Sequence, residues 1–277
     1  ALLGTPGSGK SSLLTAAFRY RAGFRIVRYY CFVPNDGGLS RGEAANFLHD
    51  LTLALWREGV RPNRMSPSSS LEECRALFGA QLAELHGEYV ATGHRTILLV
   101  DGLDHIEREQ SPHRSLLAEL PPPTSVPDGV LVLLGSQKLE LDQLSPRIAQ
   151  QLRDDNRTVR MRPLSPRAVR AVLDGSGLSA PLDAADIQEV VRRSAGHPLA
   201  LAYLINRLRN ARTHAEAKLA IEASPPYADN IEQEYEIYWT HLLGEKEVHD
   251  LLALASRLRG TLNLSAAVGW VGEHVVR

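Results

Sequence analysis

The chain has 277 residues, of which 44% are hydrophobic and 23% are charged, a composition typical of soluble globular proteins. Its net charge of -1 provides no overall basic field, which argues against nucleic acid as the main partner. The cysteines, Cys31 and Cys74, form no C-x-x-C motif, and no apolar run reaches the roughly 18 residues of a membrane span. We therefore expect a cytoplasmic protein of two or three domains, without a zinc site, a disulfide framework or a membrane partner.

A glycine-rich segment lies at the start of the chain. Ala1–Leu3 has the apolar character of a buried strand but is shorter than the roughly five residues that a strand needs. We therefore expect the chain to be a piece of a longer protein. The next residues, from Gly4 to Ser11, read GTPGSGKS and fit the pattern G-x-x-x-x-G-K-[ST]. The pattern predicts a P-loop, in which a strand leads into a phosphate-binding loop and then a helix.

The residue types of the P-loop follow from the chemistry of phosphate binding. Glycines at positions 4, 7 and 9 allow positive φ, so that backbone N–H groups can surround a phosphate. The N-terminus of the following helix adds partial positive charge. Lys10 is predicted to reach the β- and γ-phosphates, and the Ser11 hydroxyl to bind Mg²⁺. The residues predicted to bind the nucleotide here are Gly4, Thr5, Pro6, Gly7, Ser8, Gly9, Lys10, Ser11 and Ser12.

Helices and strands alternate along the next part of the chain. The patterns predict a helix over 11–20, a strand over 25–33, a helix over 40–57 and a polar loop over 61–70. An amphipathic helix is predicted over 71–90. Its apolar stripe consists of Leu71, Cys74, Leu77, Phe78, Leu82 and Leu85.

A buried strand ending in a carboxylate follows. Residues 96–100 read TILLV and are followed by Asp101, at the strand edge where ligands of parallel sheets bind. Its place about ninety residues after the P-loop predicts a Walker B aspartate that binds Mg²⁺ together with Ser11. Asp104 has two open interpretations: it could orient or deprotonate the water that attacks the γ-phosphate, or it could cap the next helix.

Two more strands complete the predicted sheet. Residues 130–135 form an apolar strand followed by Ser136, Gln137 and Lys138, and Gln137 is predicted to contact the γ-phosphate as a sensor or to be a turn residue. Residues 158–161 predict the last strand. The alternation predicts a three-layer α/β P-loop domain over 1–163, with a parallel sheet of strand order 5-1-4-3-2.

The strands stop after Pro163. Helices are predicted over 166–174, 183–194, 198–210, 213–223, 228–243 and 245–258. We expect a helical domain over 164–223 and a helical linker with a partial winged-helix domain over 224–277. The turn Gly196-His197-Pro198 lies in the helical domain. Pro198 offers a rigid apolar edge for an adenine ring, or the turn simply connects two helices; we assign no role to His197.

Three segments resemble the STAND class of P-loop NTPases, which includes the NACHT and NB-ARC proteins. Residues 97–104, ending in Asp-Gly-Leu-Asp, resemble the NACHT Walker B segment, and residues 194–201 resemble the G-x-P motif. Residues 227–239 and 251–265 resemble the approach to a STAND winged helix. His105, Gln137 and Lys138 differ from the usual NACHT pattern of an acidic residue after Walker B and an arginine after the sensor strand.

The resemblance implies a nucleotide-dependent switch. It implies that ATP or ADP with Mg²⁺ is held by the P-loop and by Pro198, with slow hydrolysis that uses Lys10, Asp101 and Asp104. It further implies self-oligomerisation and control of effector and sensor domains in the same longer polypeptide, in bacterial defence or signalling. Two alternatives stay open. One is an origin-recognition-like AAA+ ATPase whose helical and winged-helix parts bind DNA, which the arginines of the helical part favour, and the other is a scaffold that holds ADP permanently.

Overall fold

The structure is a computed structural model and describes residues 1–19, 22–33, 40–62, 65–107, 112–227 and 246. The chain divides into two compact units. Within the described residues, the first comprises Ala1–Thr5, 10–33 and 40–161, and the second comprises Pro6–Gly9 and 162–227. The tip of the P-loop, Pro6–Gly9, therefore belongs to the second unit by its contacts.

A five-stranded parallel sheet forms the centre of the first unit. Its strands are β1 (Leu2–Leu3), β2 (Phe24–Tyr30), β3 (Arg95–Asp101), β4 (Val130–Ser136) and β5 (Val159–Arg160). The strands lie in the order β2-β3-β4-β1-β5, which confirms the predicted 5-1-4-3-2 order. The P-loop strand β1 pairs with β4 on one side and β5 on the other, so the P-loop begins in the interior of the sheet.

Helices cover both faces of this sheet. They are α1 (Lys10–Ala17), α2 (Ala44–Arg57), α3 (Leu71–Thr92) and α4 (Pro146–Leu152), of which α4 was not predicted. Successive residues of a strand point to opposite faces. Leu98 of β3 accordingly lies in one hydrophobic cluster with residues of α2 and α3, while its neighbour Leu99 packs with Leu14 of α1. The observed layers agree with the predicted three-layer arrangement.

The amphipathic helix α3 is confirmed, with its predicted stripe buried except for the half-buried Leu71. Ser70 caps its N-terminus by accepting the Glu73 N–H, and Gly93 ends it with φ of 75°. Gln81, fully buried on this helix, donates to the carbonyls of Thr52 and Val60 at 3.0 and 3.1 Å. Polar as well as apolar contacts therefore connect α3 to α2 and to the loop after it.

The described part of the second unit is helical. It contains α5 (Pro166–Asp174), α6 (Ala184–Ser194), α7 (Pro198–Leu208) and α8 (His214–Glu222), all four as predicted to within two residues. Capping boxes begin α6 at Asp183 and α8 at Thr213, and the helices share one apolar core. The helix predicted over 228–243 lies outside the described residues, as does all of the helix predicted over 245–258 except Lys246 and nearly all of the predicted winged-helix segment. No helix in the described part of the chain is long and apolar enough to cross a membrane.

The turn between α6 and α7 has unusual backbone geometry. Ala195 and Gly196 both have positive φ, 46° and 69°. The Gly196 carbonyl accepts the N–H of Leu164 at 2.8 Å, and a β-carbon on Gly196 would lie 2.3 Å from the Leu164 carbonyl oxygen. Gly196 is therefore required both by its backbone conformation and by the close approach of the preceding segment.

We predict that Gly196→Ala destabilises the protein by about 2–4 kcal/mol, because it adds a steric clash to the strain of a positive φ. The matched control is Gly177→Ala, since Gly177 has φ of 66° but nothing within 4 Å of its potential β-carbon. The control should cost only about 1 kcal/mol. Urea denaturation of both variants measures the difference, and equal losses would contradict the close contact with Leu164.

Candidate nucleotide-binding site

The P-loop connects β1 to α1 at the carboxyl edge of the sheet. The N–H of Gly4 donates to the carbonyl of Ser136 at 3.3 Å, so the loop starts beside the end of β4. Gly7 and Gly9 have positive φ of 72° and 86°, as expected. Gly4 is not among the glycines with positive φ, so the prediction was wrong for this residue. Its backbone continues the strand pairing of β1 instead.

Lys10 is the first residue of α1 and points back to the start of the loop. Its ammonium donates to the carbonyls of Gly4 and Thr5 at 2.6 and 3.2 Å. Burial lowers the pKa of the ammonium, and the nearby carboxylates of Asp104 and Asp101 act in the opposite direction. A partly desolvated cation whose bonds within the described part of the chain are to neutral carbonyls is well suited to pair with phosphate, an anion of higher charge.

Ser11 and Asp101 are in direct contact, although ninety residues separate them in sequence. The Ser11 hydroxyl donates to Asp101 Oδ2 at 2.6 Å. Asp101 is the last residue of β3, only 4% exposed, and pairs in register with Gly135 of β4. A β-carbon on Gly135 would lie 2.1 Å from Asp101 Oδ1, so the absence of a side chain there makes room for the carboxylate. The structure thus brings the two predicted magnesium ligands together.

Three buried oxygen atoms at this edge have no hydrogen-bond partner in the described structure: Asp101 Oδ1, Asp104 Oδ2 and Ser136 Oγ. Leaving a buried polar atom without a partner costs about 1–3 kcal/mol, and more for a charged one. Carboxylate and hydroxyl oxygens are the ligands preferred by Mg²⁺, which keeps several bound waters in such sites. A hydrated Mg²⁺ held by Ser11 and Asp101 would supply the missing partners, so the residues present fit this ion.

Asp104 contacts the end of β4. Its Oδ1 accepts the backbone N–H of Gln137 at 3.0 Å, so this carboxylate connects the turn after β3 to the residues after β4 instead of capping its own helical turn. The contact shown for Gln137 is made by its backbone and not by the side chain that was expected to sense phosphate. Lys138 pairs with Glu107 at 2.9 Å. The other oxygen of Asp104, Oδ2, is buried and has no hydrogen-bond partner among the described residues, and His105 Nε2 lies 4.0 Å from it.

Ser136 is the residue that sequence reasoning undervalued. It is 2% exposed and ends β4, next to β1, with its hydroxyl unpartnered among the described residues. Ser136 is one of the polar residues that follow the predicted strand, but the sequence pattern predicts contact with phosphate for Gln137. The usable signal was position: Ser136 is the last residue of the strand beside β1, and its carbonyl accepts the N–H of Gly4 at the start of the P-loop.

Of the remaining predicted residues, Thr5 and Ser12 lie in the first unit, and Pro6, Ser8, Gly9 and Pro198 lie in the second. Within the second unit, a β-carbon on Gly9 would lie 3.8 Å from Pro198 Cγ, so Pro198 is a neighbour of the P-loop tip. The Ser8 side chain is buried, and its hydroxyl has no partner in this part of the structure. Thr5, Pro6 and Ser12 are exposed.

Another group of potential metal ligands lies in the second unit and has a structural explanation. Asp183, Asp186 and His214 have ligand atoms within 4.8 Å of one another. Asp183 and Asp186 form the capping box of α6, and His214 Nε2 lies 2.7 Å from Asp186 Oδ2. These contacts connect α6 to α8 and account for the group without an ion.

No protein-family model matches the chain, and no curated protein matches it. Among solved structures, the chain is similar to the Orc1 protein of Aeropyrum pernix, whose structure was determined in complex with DNA. The TM-score is 0.42 and the sequence identity 14%, over 98% of this chain and 75% of that chain. A likeness of this degree assigns no activity, and the function proposed below depends on the geometry of the P-loop and of Asp101.

We predict that Ser136→Ala leaves the nucleotide-free protein as stable as before or stabilises it by up to about 1 kcal/mol, because it removes a buried hydroxyl without a partner. The matched control is Ser115→Ala. Ser115 is 1% exposed, but its hydroxyl accepts the N–H of Leu117 at 3.2 Å. The control should lose about 1 kcal/mol. Chemical denaturation without nucleotide distinguishes them, and equal losses would show that the Ser136 hydroxyl is satisfied.

Proposed function

We propose that this protein binds ATP and ADP with Mg²⁺ at the P-loop and hydrolyses ATP slowly. The observation that supports it most is the contact of Ser11 with Asp101 beside buried, unpartnered oxygens at the mouth of a P-loop. A chance glycine-rich turn would not require a carboxylate from a distant strand to be buried there. The energetic cost of these oxygens is understandable if a ligand satisfies them.

Each residue has a role in this proposal. The backbone N–H groups of the P-loop and the N-terminus of α1 bind the phosphates, and the Lys10 ammonium exchanges its carbonyl partners for phosphate oxygens. Ser11 and Asp101 hold Mg²⁺, which would neutralise charge on the phosphates when bound. Ser136 and Ser8 provide hydroxyls that can donate to phosphate or to bound water.

Asp104 is proposed as the residue that orients the attacking water. Its Oδ1 is fixed by the Gln137 N–H. Its Oδ2 is buried, has no hydrogen bond among the described residues and lies 4.0 Å from His105 Nε2, so it can accept a proton or hydrogen bond from water. A carboxylate that is held at one oxygen and free at the other is preorganised for this role. The helix-capping alternative is less favoured, because the observed bond joins Asp104 to a different element.

A more specific proposal is that the protein is a nucleotide-dependent switch of the STAND type. It is supported by the resemblance of the segments 97–104 and 194–201 to the NACHT Walker B segment and the G-x-P motif. Nucleotide exchange or hydrolysis would then control self-association and effector domains in a longer polypeptide. A complete population shift requires that the nucleotide prefer one conformational state of the protein by about 5.5 kcal/mol in binding free energy.

The DNA-binding alternative loses part of its support, because Arg192 and Arg193 both donate hydrogen bonds to Glu189. These two hydrogen bonds lower the pKa of Glu189 to about 2.

We predict that Lys10→Ala abolishes detectable binding of MgADP and MgATP while the protein stays folded, because the variant lacks the only side-chain cation of the P-loop. Lys218→Ala, at an exposed position of α8, is the control and should bind as the wild type does. Titration with a fluorescent ADP analogue measures both. Unchanged affinity of Lys10→Ala for MgADP and MgATP would reject the proposed site.

A separate experiment tests whether ADP is held permanently: the wild-type protein is denatured and the nucleotide that it releases is identified.

We predict that Asp104→Asn slows ATP turnover at least about 100-fold but changes the dissociation constant of MgADP less than threefold. The amide oxygen can still accept the Gln137 N–H, so the local structure is kept while the proton acceptor is lost. Single-turnover hydrolysis and ADP titration separate the two effects. Loss of binding with unchanged turnover per bound ATP would identify Asp104 as a structural residue.

A further inference from the structure

His197 lies at the N-cap of α7, in the second unit, and is 6% exposed. It precedes Pro198 in the segment that resembles the G-x-P motif. We propose that His197 is a positioning residue, which fixes the Pro6–Gly7 peptide of the P-loop for phosphate binding. This inference rests on the proposed nucleotide-binding function and adds a residue to it.

The two ring nitrogens of His197 have different partners. Nδ1 accepts the N–H of Ala200 at 3.4 Å, which caps α7. Nε2 lies 3.1 Å from the carbonyl oxygen of Pro6. A carbonyl oxygen only accepts, so Nε2 must carry the hydrogen, while Nδ1 must be free of one. Only the neutral tautomer protonated at Nε2 satisfies both contacts, and stacking on Tyr227 with a centroid distance of 4.2 Å holds the ring plane.

The bond to Pro6 determines where the next N–H points. No described peptide bond is cis, so the Pro6 carbonyl and the Gly7 N–H point in opposite directions from one planar group. When His197 holds this carbonyl, the Gly7 N–H is directed away from His197. Inward-pointing N–H groups are the means by which a P-loop binds phosphate.

The neighbour of His197 in α7 supports the same segment. A β-carbon on Gly7 would lie 2.6 Å from Leu199 Cβ and 3.0 Å from His197 Cε1, so both side chains pack directly on the Gly7 backbone. The turn with positive φ at Ala195 and Gly196 sets the position of His197 before α7 begins. The P-loop tip is thus ordered before a ligand arrives, which reduces the entropic cost of binding.

Two variants of His197 separate the hydrogen bond of Nδ1 from that of Nε2. In His197→Asn, the amide oxygen takes the place of Nδ1 and keeps the cap, but the side chain is too short to reach Pro6. In His197→Gln, the longer amide can donate at the place of Nε2, while the cap is weakened. The experiment measures the dissociation constant of MgADP and the melting temperature of the 277-residue chain for the wild type and both variants.

The proposal expects the MgADP dissociation constant of His197→Asn to rise about three- to tenfold, the loss typical of one hydrogen bond, with little change in melting temperature. His197→Gln should keep near wild-type affinity although its melting temperature falls by about 2–4 °C. The positioning role would be overturned if the MgADP affinity of the variants changes in parallel with their melting temperature. It would also be overturned if the wild type and His197→Asn bind MgADP equally well. If these variants bind equally while Lys10→Ala does not bind, only this inference fails; if the wild type does not bind MgADP, the proposed function fails with it.

Discussion

The hydrogen bond between Ser11 and Asp101 is the contact on which the site depends. It joins the first turn of α1 to the end of β3, and it forms in a parallel sheet in which β3 and β1 lie on either side of β4 with their carboxyl ends at one edge. The crossover connections of a parallel sheet place these distant segments together. The sheet order is thus the structural condition for the chemistry, and Gly135 in the intervening strand provides the space for the carboxylate.

Much of the first unit could be predicted from local pattern. The strong signals are the P-loop, the apolar strand before Asp101 and the stripe of α3. They are strong because glycine spacing and hydrophobic periodicity can be recognised from a few residues of the sequence. The boundaries were less accurate: α1 ends at Ala17 and β2 at Tyr30, earlier than expected. The seven-residue α4 was missed, because so short a segment shows little periodicity.

Contacts between distant residues could not be predicted in the same way. The pattern placed Asp104 and Gln137 near the phosphate, but it could not show that a backbone N–H of one would hold the carboxylate of the other. It gave His197 no role, because a histidine before a proline is typical of an ordinary helical turn, whereas its bond to Pro6 spans 191 residues. Such pairings depend on the completed fold, and a single sequence contains no sign of them.

The unpartnered oxygens at the sheet edge have a consequence for the protein in a cell. Their burial is a cost to the fold, so a ligand that satisfies them would be coupled to folding itself. A ligand present at a hundred times its dissociation constant adds about 2.7 kcal/mol to stability, a large share of what a domain of ordinary stability possesses. If nucleotide is that ligand, newly made chains would complete their folding around it, and chains that lose it would be the ones exposed to chaperones and proteases.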